Sequence, residues 1–247
     1  MNIGIIGTGN IGFTLARKLR QAGHNILLAN ARGPDSIQHK AAEIGATAVT
    51  VEGALSDVDV VVISIPEGNV PQLPKSLFAS LPSNVPVVDT GNYFPGLRDA
   101  PIALIEHGMP ESVWVSEQLG RPVIKAFNSM MAASLADKGR IEGDANRIAL
   151  PVAGDDPAAK CKVIGLVNDV GFDGIDAGDL AESWRQQPGT PAYCTNLDAA
   201  TLRGALSSAV KEAAPHRRDL ALRRRREAEH QMSSDDVVRL YRTIFNQ

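Results

Sequence analysis

Residues 2–20 read NIGIIGTGNIGFTLARKLR. Asn2 to Gly7 is a short, isoleucine-rich apolar run ending in glycine, the composition of a strand buried on both faces of a parallel sheet. From Ile11 the period changes, because Ile11, Leu15 and Leu19 fall at helical spacing with charged residues opposite them. Gly23 closes that helix, and Asn25 to Ala29 supply a second strand. Strand, glycine turn, helix and strand are thus complete within about 30 residues. Between the two periods stands Gly7-Thr8-Gly9-Asn10-Ile11-Gly12. Spaced glycines alone are weak evidence, but these follow a buried strand and open an amphipathic helix. In that setting Gly7 allows the tight turn, Gly9 lets backbone approach a pyrophosphate, and Gly12 lets the helix pack closely on the strand. The helix N-terminus adds free N–H groups and a partial positive charge. A dinucleotide site is expected here.

Working outward, the alternation persists. Ser36 to Ile44 reads as a helix, Ala48 to Val51 as a strand and Glu52 to Ser56 as a short helix. Val58 to Ile65 and Val85 to Asp89 read as buried strands, with a proline-interrupted helix from Val70 to Leu81 between them. Asn92 to Ala100 reads as a loop and Ser116 to Gly120 as a short helix. Strands are expected at Pro122 to Phe127, Arg147 to Ala153 and Gly174 to Asp176, and helices at Ser129 to Lys138 and Pro157 to Val170. This order predicts an α/β fold, a Rossmann-type doubly wound parallel sheet. The nucleotide-binding domain is placed at residues 1–194 and an appended C-terminal helical segment at 195–247, packed on the same domain or on a partner subunit.

The end of the second strand discriminates between nucleotides. An NAD site usually places Asp or Glu there, on the ribose hydroxyls. Here the stretch is Ala29-Asn30-Ala31-Arg32-Gly33-Pro34-Asp35-Ser36, with neutral Asn30 and cationic Arg32 at the strand end. A carboxylate would repel a 2′-phosphate, whereas Arg can pair with one bidentately, and Ser36 can add a hydroxyl. NADP is the expected cofactor; the alternative is that Arg32 merely solvates a turn and Asp35 takes the ribose.

Bulk properties narrow the function classes. A net charge of -3 and 4% aromatic residues give no reason to expect a polyanionic partner or a base-stacking surface. Cys161 and Cys194 lie far apart without metal-ligand spacing, so neither a disulfide framework nor a metal site is expected. With no long apolar run and no leader-like start, no membrane contact is expected, and the chain reads as cytoplasmic.

Ligands of doubly wound sheets sit beyond the carboxyl ends of the strands, here Ser64-Ile65-Pro66-Glu67, Asp89-Thr90-Gly91-Asn92 and Ala126-Phe127-Asn128-Ser129. Pro66 is placed to press on a nicotinamide ring or ribose edge, and Asn92 and Asn128 carry amides suited to a carboxamide. Asp89 reads as an acid or base, or equally as a loop brace. Lys125 and Asn128 are weak catalytic candidates; Lys125 and Tyr93 are the only proton donors in plausible places. All five histidines are expected in structural or surface roles. Hydride transfer between two rings that carry their own chemistry needs positioning more than protein acid–base groups.

The glycine loop, the Asn-Ala-Arg-Gly-Pro stretch at residues 30–34, Val-Val-Asp-Thr-Gly-Asn at 87–92 and, above all, Val-Ile-Lys-Ala-Phe-Asn-Ser at 123–129 resemble the deazaflavin (coenzyme F420)-dependent NADP oxidoreductase family. The reductase domains of mammalian ferric metalloreductases are similar. The resemblance spans roughly residues 1–190. It implies hydride transfer between NADPH and a flavin-like or deazaflavin small molecule. It also implies that Thr8, Asn10 and Ile11 contact the pyrophosphate, that Ala31, Arg32 and Ser36 surround the 2′-phosphate, and that Pro66, Ala126 and Asn128 line the nicotinamide side. The competing readings are an NADP(H)-sensing binding protein without turnover and an imine or carbonyl reductase.

In the tail, Arg223 to Arg226 resembles a nucleic-acid or membrane patch in isolation. Asp219 and Glu227 flank Arg223 at i,i+4 spacing and Glu229 follows Arg225 likewise, which predicts a salt-bridged, solvated helix face instead. Val237, Val238, Tyr241, Ile244 and Phe245 form an apolar stripe that must bury on its own domain or in a homodimer.

Overall fold

The computed structural model describes residues 1–228 and 232–246. At its centre is a parallel sheet of β1 (Asn2–Ile6), β2 (Asn25–Ala29), β3 (Thr47–Ala48), β4 (Val60–Ile63), β5 (Val87–Asp89) and β6 (Ile124–Lys125), in the order β3-β2-β1-β4-β5-β6. The order reverses at β1, which has β2 on one side and β4 on the other, so the switch point lies at the glycine loop. The helices are α1 (Asn10–Gln21), α2 (Gln38–Glu43), α3 (Lys75–Ala79), α4 (Ala103–Glu106), α5 (Glu111–Leu119), α6 (Ala132–Asp137), α7 (Pro157–Asp169), α8 (Ala199–Ser207), α9 (Ala214–Glu227) and α10 (Ser234–Phe245).

The pleat sorts the strand residues between two cores. Ile3, Ile5, Leu28, Val60, Val62 and Val88 pack with Leu15 and Leu19 of α1 and Val163 and Leu166 of α7. The alternate positions Ile6, Val61, Ile63 and Val87 pack with Phe78 of α3 and Trp114, Val115 and Leu119 of α5. Burial on both faces is why these strands read as unbroken apolar runs.

Several expectations need correction. The eight strands do not form one sheet: β7 (Ala149–Val152) and β8 (Asp173–Asp176) make a separate parallel pair. That pair joins the sheet through an antiparallel bridge in which Lys125 N–H donates to Ala153 (2.8 Å) and Ala153 N–H donates back (3.0 Å). β6 is short because the chain turns at Phe127, whose φ of 62° is left-handed. The helix expected over 70–81 divides into a 3-10 turn, Glu67–Gln72, and α3, because Pro71 and Pro74 cannot donate to a continuing helix. α5 begins five residues earlier than expected, at Glu111 rather than Ser116, and α4 was not foreseen.

The C-terminal segment folds onto the same domain. The whole stripe of α10 is buried, packed on Tyr193, Cys194 and Ala221 of α9 and the preceding loop. Tyr241 and Phe245 ring centroids lie 4.7 Å apart. Arg242 donates to the carbonyls of Thr195 (2.7 Å) and Asn196 (2.8 Å), and Ser233 and Asp236 form a capping box. On α9, Arg223 and Arg224 pair with Glu227 at 4.0 and 3.8 Å, while Asp219 turns to Arg218 (2.8 Å) instead of Arg223. Arg225 donates to the Tyr241 hydroxyl (3.1 Å); its expected partner Glu229, and His230, lie outside the described residues. His24 is not on the surface: it is buried, with its ring nitrogens beside the N-terminal ammonium (3.3 Å) and Asp169 (3.0 Å). Among the described residues no helix is long and apolar enough to cross a membrane, and no group of three or more His, Cys, Asp or Glu is placed to hold a metal ion.

Candidate functional site

The glycine loop divides into two glycines that the fold demands and one that it does not. Gly7 has φ 118°, and a Cβ there would lie 2.1 Å from the Ser64 carbonyl oxygen. A Cβ on Gly12 would lie 2.2 Å from the Gly7 carbonyl oxygen. At Gly9 a Cβ would meet nothing within 4 Å. Gly9 is also the N-cap of α1 and has no side chain to cap it, so the first N–H groups of the helix are left without a side-chain acceptor. The loop opens on a cavity of about 290 Å³ whose walls include Thr8, Asn10, Phe13 and Lys40. Lys40 stands 5.9 Å from the centre of the Phe13 ring, a cation at this mouth that sequence reasoning did not single out. Open space over Gly9, an uncapped helix N-terminus and a nearby ammonium fit a dinucleotide pyrophosphate. Thr8, Gly9, Asn10 and Ile11 are the residues that would hold it.

Beyond β2 the loop is braced from inside. Asn30 bonds Ser36 through its amide nitrogen (3.0 Å), its oxygen accepts the Arg32 backbone N–H (2.9 Å), and Ser36 donates to the Gly33 carbonyl (2.8 Å). Asn30 therefore shapes the turn, leaving Arg32 to meet a ligand. Ala31 and Arg32 are exposed, and the Arg32 guanidinium makes no ion pair among the described residues. Asp35 is exposed as well, at the start of a 3-10 turn, Pro34–Ser36.

The strand ends depart furthest from expectation. Lys125 does not face a crevice: it is 0% exposed. Its Nζ donates to Asp89 Oδ2 (3.0 Å) and the Gly91 carbonyl (2.7 Å), and lies 3.9 Å from Glu67 Oε1 and 3.8 Å from Glu111 Oε2. Asp89 is the loop brace as well as the ion-pair partner, accepting from Ser112 Oγ (2.6 Å) and the Gly91 N–H (2.8 Å). Gly91 is required here because a Cβ would fall 2.4 Å from Glu67 Oε1. Three buried carboxyls thus share one ammonium. Among the described residues, both Glu67 oxygens and Glu111 Oε2 have no hydrogen-bond partner. Burial, reinforced by Asp89, pushes the Glu67 carboxyl well above the usual range. Burial also lifts Glu111 to about 7, against the pull of Lys125 and the Tyr93 backbone N–H. For Lys125, burial opposes the charge, but Asp89, Glu67 and Glu111 outweigh it and hold the ammonium above its ordinary value.

Ala126 and Asn128 are buried rather than lining an open face. Asn128 donates to the Gln186 carbonyl (2.8 Å) and Asn92 Oδ1 (3.1 Å), and its oxygen accepts from Gln186 Nε2 (2.9 Å). Its amide is engaged inside the protein, which corrects the expectation of a free group for a nicotinamide. Tyr93 is also occupied: its hydroxyl donates to Glu106 (2.6 Å) and accepts from Ile102 N–H (2.9 Å). Pro66, half-buried, ends the run after β4 and leads directly into Glu67. Glu67 was quoted as part of a strand end without a role, and Glu111 was missed; a Glu directly after the proline that ends a buried strand was the available signal. The cluster can hold and release a proton inside the fold.

Known proteins match this architecture. The model of the family described as NADP oxidoreductase coenzyme F420-dependent matches residues 2–93. YjhV of Escherichia coli (strain K12) is 51% identical over 78 residues, 31% of this chain, and the match spans only 57% of that protein's length. The hypothetical protein SMa0349 of Sinorhizobium meliloti is 31% identical, with a TM-score of 0.69 over 80% of this chain and 95% of that one. A "putative F420 dependent NADP-reductase" from Arthrobacter sp. FB24, 22% identical, shares the fold with a TM-score of 0.59 over 74% of this chain and 87% of that one. Residues 2–93 thus carry the pattern of the NADP oxidoreductase, coenzyme F420-dependent, family, and over most of its length the chain is related to SMa0349.

Proposed function

We propose that this chain is an NADP(H)-dependent oxidoreductase that passes a hydride between NADPH and a flavin-like or deazaflavin acceptor. The observation that carries the nucleotide half is the open, uncapped start of α1 over Gly9 together with the Arg32 guanidinium, which makes no ion pair among the described residues. Backbone N–H groups there would bind the pyrophosphate, and Arg32 would neutralise the 2′-phosphate. A bound reduced nicotinamide supplies the hydride; the protein binds and orients the two rings and keeps water from between them. The acceptor half draws on the family and on the strand ends. There Lys125, Asn128 and Tyr93 are all engaged in internal hydrogen bonds, which leaves positioning as the main task of that edge.

Anaerobic stopped-flow mixing of the protein and NADPH with riboflavin, a deazaflavin, a ferric chelate and a cyclic imine tests the proposal. Oxidation of NADPH by a flavin-type probe, with little by NADH, is the expected result. Tight NADPH binding with no oxidation by any probe would instead favour an NADP(H)-sensing protein, and oxidation by the imine alone would make the chain an imine reductase.

A further inference from the structure

A cavity of about 490 Å³ lies against the far side of the buried ion cluster, between α5, the 3-10 turn Leu180–Gln186 and the start of α9. Its walls include Tyr93, Met109, Glu111, Trp184, Pro188 and Arg218. The volume suits one ring-sized organic ligand. The indole of Trp184 carries the Arg185 guanidinium at 4.4 Å and the Lys211 ammonium at 5.8 Å from its ring centre, contacts that partly fix it. Glu111 is 4% exposed, its Oε2 has no hydrogen-bond partner, and it stands 3.8 Å from Lys125 Nζ. Lys125 in turn is 3.9 Å from Glu67, the residue that follows Pro66. The cavity wall and the carboxyl end of β4 therefore meet through a single lysine.

We propose that this cavity receives the acceptor, a planar heterocycle with a conjugated ring nitrogen, and that Glu111 is the acid that protonates that nitrogen. The inference rests on the oxidoreductase reading above. As the acceptor carbon gains the hydride, the electron pair of the conjugated C=N bond moves to nitrogen. The Glu111 O–H bond breaks, an N–H bond forms, and water entering the cavity reprotonates the carboxylate. Two electrons and two protons are thereby added to the acceptor, one of the protons within the hydride. Burial lifts the Glu111 carboxyl to about 7, with Asp89 of β5 adding to it and Lys125 of β6, the Tyr93 backbone N–H and Arg218 of α9 pulling against it; Glu67 stands beyond Lys125, and Glu106, His107, Lys211 and Glu212 share the cavity wall. A carboxyl in that range, one of whose oxygens has no hydrogen-bond partner among the described residues, is matched to donating a proton near neutrality.

The test combines turnover with a binding signal. The chain has two tryptophans, Trp114 buried in α5 and Trp184 on the cavity wall, so a Trp184→Phe control isolates the second emission. Riboflavin, a deazaflavin and dihydroisoquinoline are titrated against wild type and Glu111→Gln, and turnover with NADPH is followed against pH. The expected result is quenching of Trp184 in both proteins, with wild-type kcat falling as pH rises past about 7. Glu111→Gln should be slower by about a hundredfold, with a flat profile and unchanged NADPH affinity. Turnover of Glu111→Gln with the wild-type rate and profile, or turnover without any effect on Trp184, overturns the proposal. Should Glu111→Gln not fold, a wild-type profile flat across about pH 6 to 8.5 overturns it equally. If no probe is reduced, the oxidoreductase reading fails, and fluorescence then decides on the site. Quenching with an inflection near pH 7 that Glu111→Gln removes then supports the cavity as a ring site beside Glu111 while overturning Glu111 as the acid of a hydride transfer, and no quenching by any probe overturns both.

Discussion

Replacing Lys125 with Met removes the one ammonium within ion-pair distance of three buried carboxyls among the described residues, while keeping a side chain of similar length. Asp89 then loses a 3.0 Å partner, and the nearby Glu67 and Glu111 lose their counter-charge. Breaking a buried pair from one side costs about 3–5 kcal/mol. That is a large part of the roughly 5–15 kcal/mol that holds a domain together. At about 2–4 °C per kcal/mol for a chain of this size, Tm should fall by roughly 6–20 °C. The sign with pH follows from the raised carboxyls. Their protonated forms fit the apolar site without a cation, so the deficit is smallest in acid and grows as pH rises through the Glu111 range near 7. Calorimetric or circular-dichroism melting of both proteins at about pH 5 and pH 8 measures it. A gap below about 2 °C, or one that does not change between the two conditions, would refute the reasoning. Lost turnover in this variant would then accompany weaker nucleotide binding, as expected of a structural residue.

Gly9→Ala should melt like wild type yet bind NADPH at least tenfold more weakly, because its new methyl enters open space where the pyrophosphate would approach; Gly12→Ala, with a Cβ 2.2 Å from the Gly7 carbonyl, should lose several degrees of Tm. Melting and NADPH fluorescence titration separate the two effects, and equal behaviour of both variants would contradict the division. Glu111 is lifted from 4.5 to about 7, so the stability tied to its neutral form is intact below the lower value and disappears as pH rises through the upper one. At about 1.4 kcal/mol per unit the full effect is about 3.5 kcal/mol. Urea unfolding at about pH 5 and pH 8 should show Glu111→Gln gaining on wild type only at the higher pH; parallel shifts would reject the cause given. Phe245→Ala removes a ring 1% exposed in the C-terminal cluster and should cost about 3–5 kcal/mol in a single cooperative transition; an early, separate melting of the tail would mean that it is not part of the main fold.

What could be read in advance follows the range of the interactions involved. The glycine loop and the buried strands rest on local spacing, and the period change at Ile11 placed α1 and the sheet around it. The stripe of α10 was legible for the same reason, though its partners Tyr193 and Cys194 were not, since they lie some 40 or more residues away. The division of the eight strands into two sheets turns on the left-handed Phe127 and the Lys125–Ala153 bridge, which no periodicity records. The ion cluster was hidden in the same way. Glu67, Asp89, Glu111 and Lys125 come from four elements, and only the parallel order of β4, β5 and β6 brings them within 4 Å of one nitrogen. Without that order, Lys125 reads only as a weak catalytic candidate and Asn128 as an amide suited to a carboxamide.

The proposed function places the preference for the phosphorylated nucleotide on Arg32. Isothermal calorimetry of NADPH and NADH on wild type and Arg32→Ala measures this directly. Loss of a charge-assisted hydrogen bond predicts about 1.5–3 kcal/mol, roughly tenfold to a hundredfold, taken from NADPH alone. Equal weakening of both nucleotides, or wild-type binding of NADH as tight as that of NADPH, would contradict it.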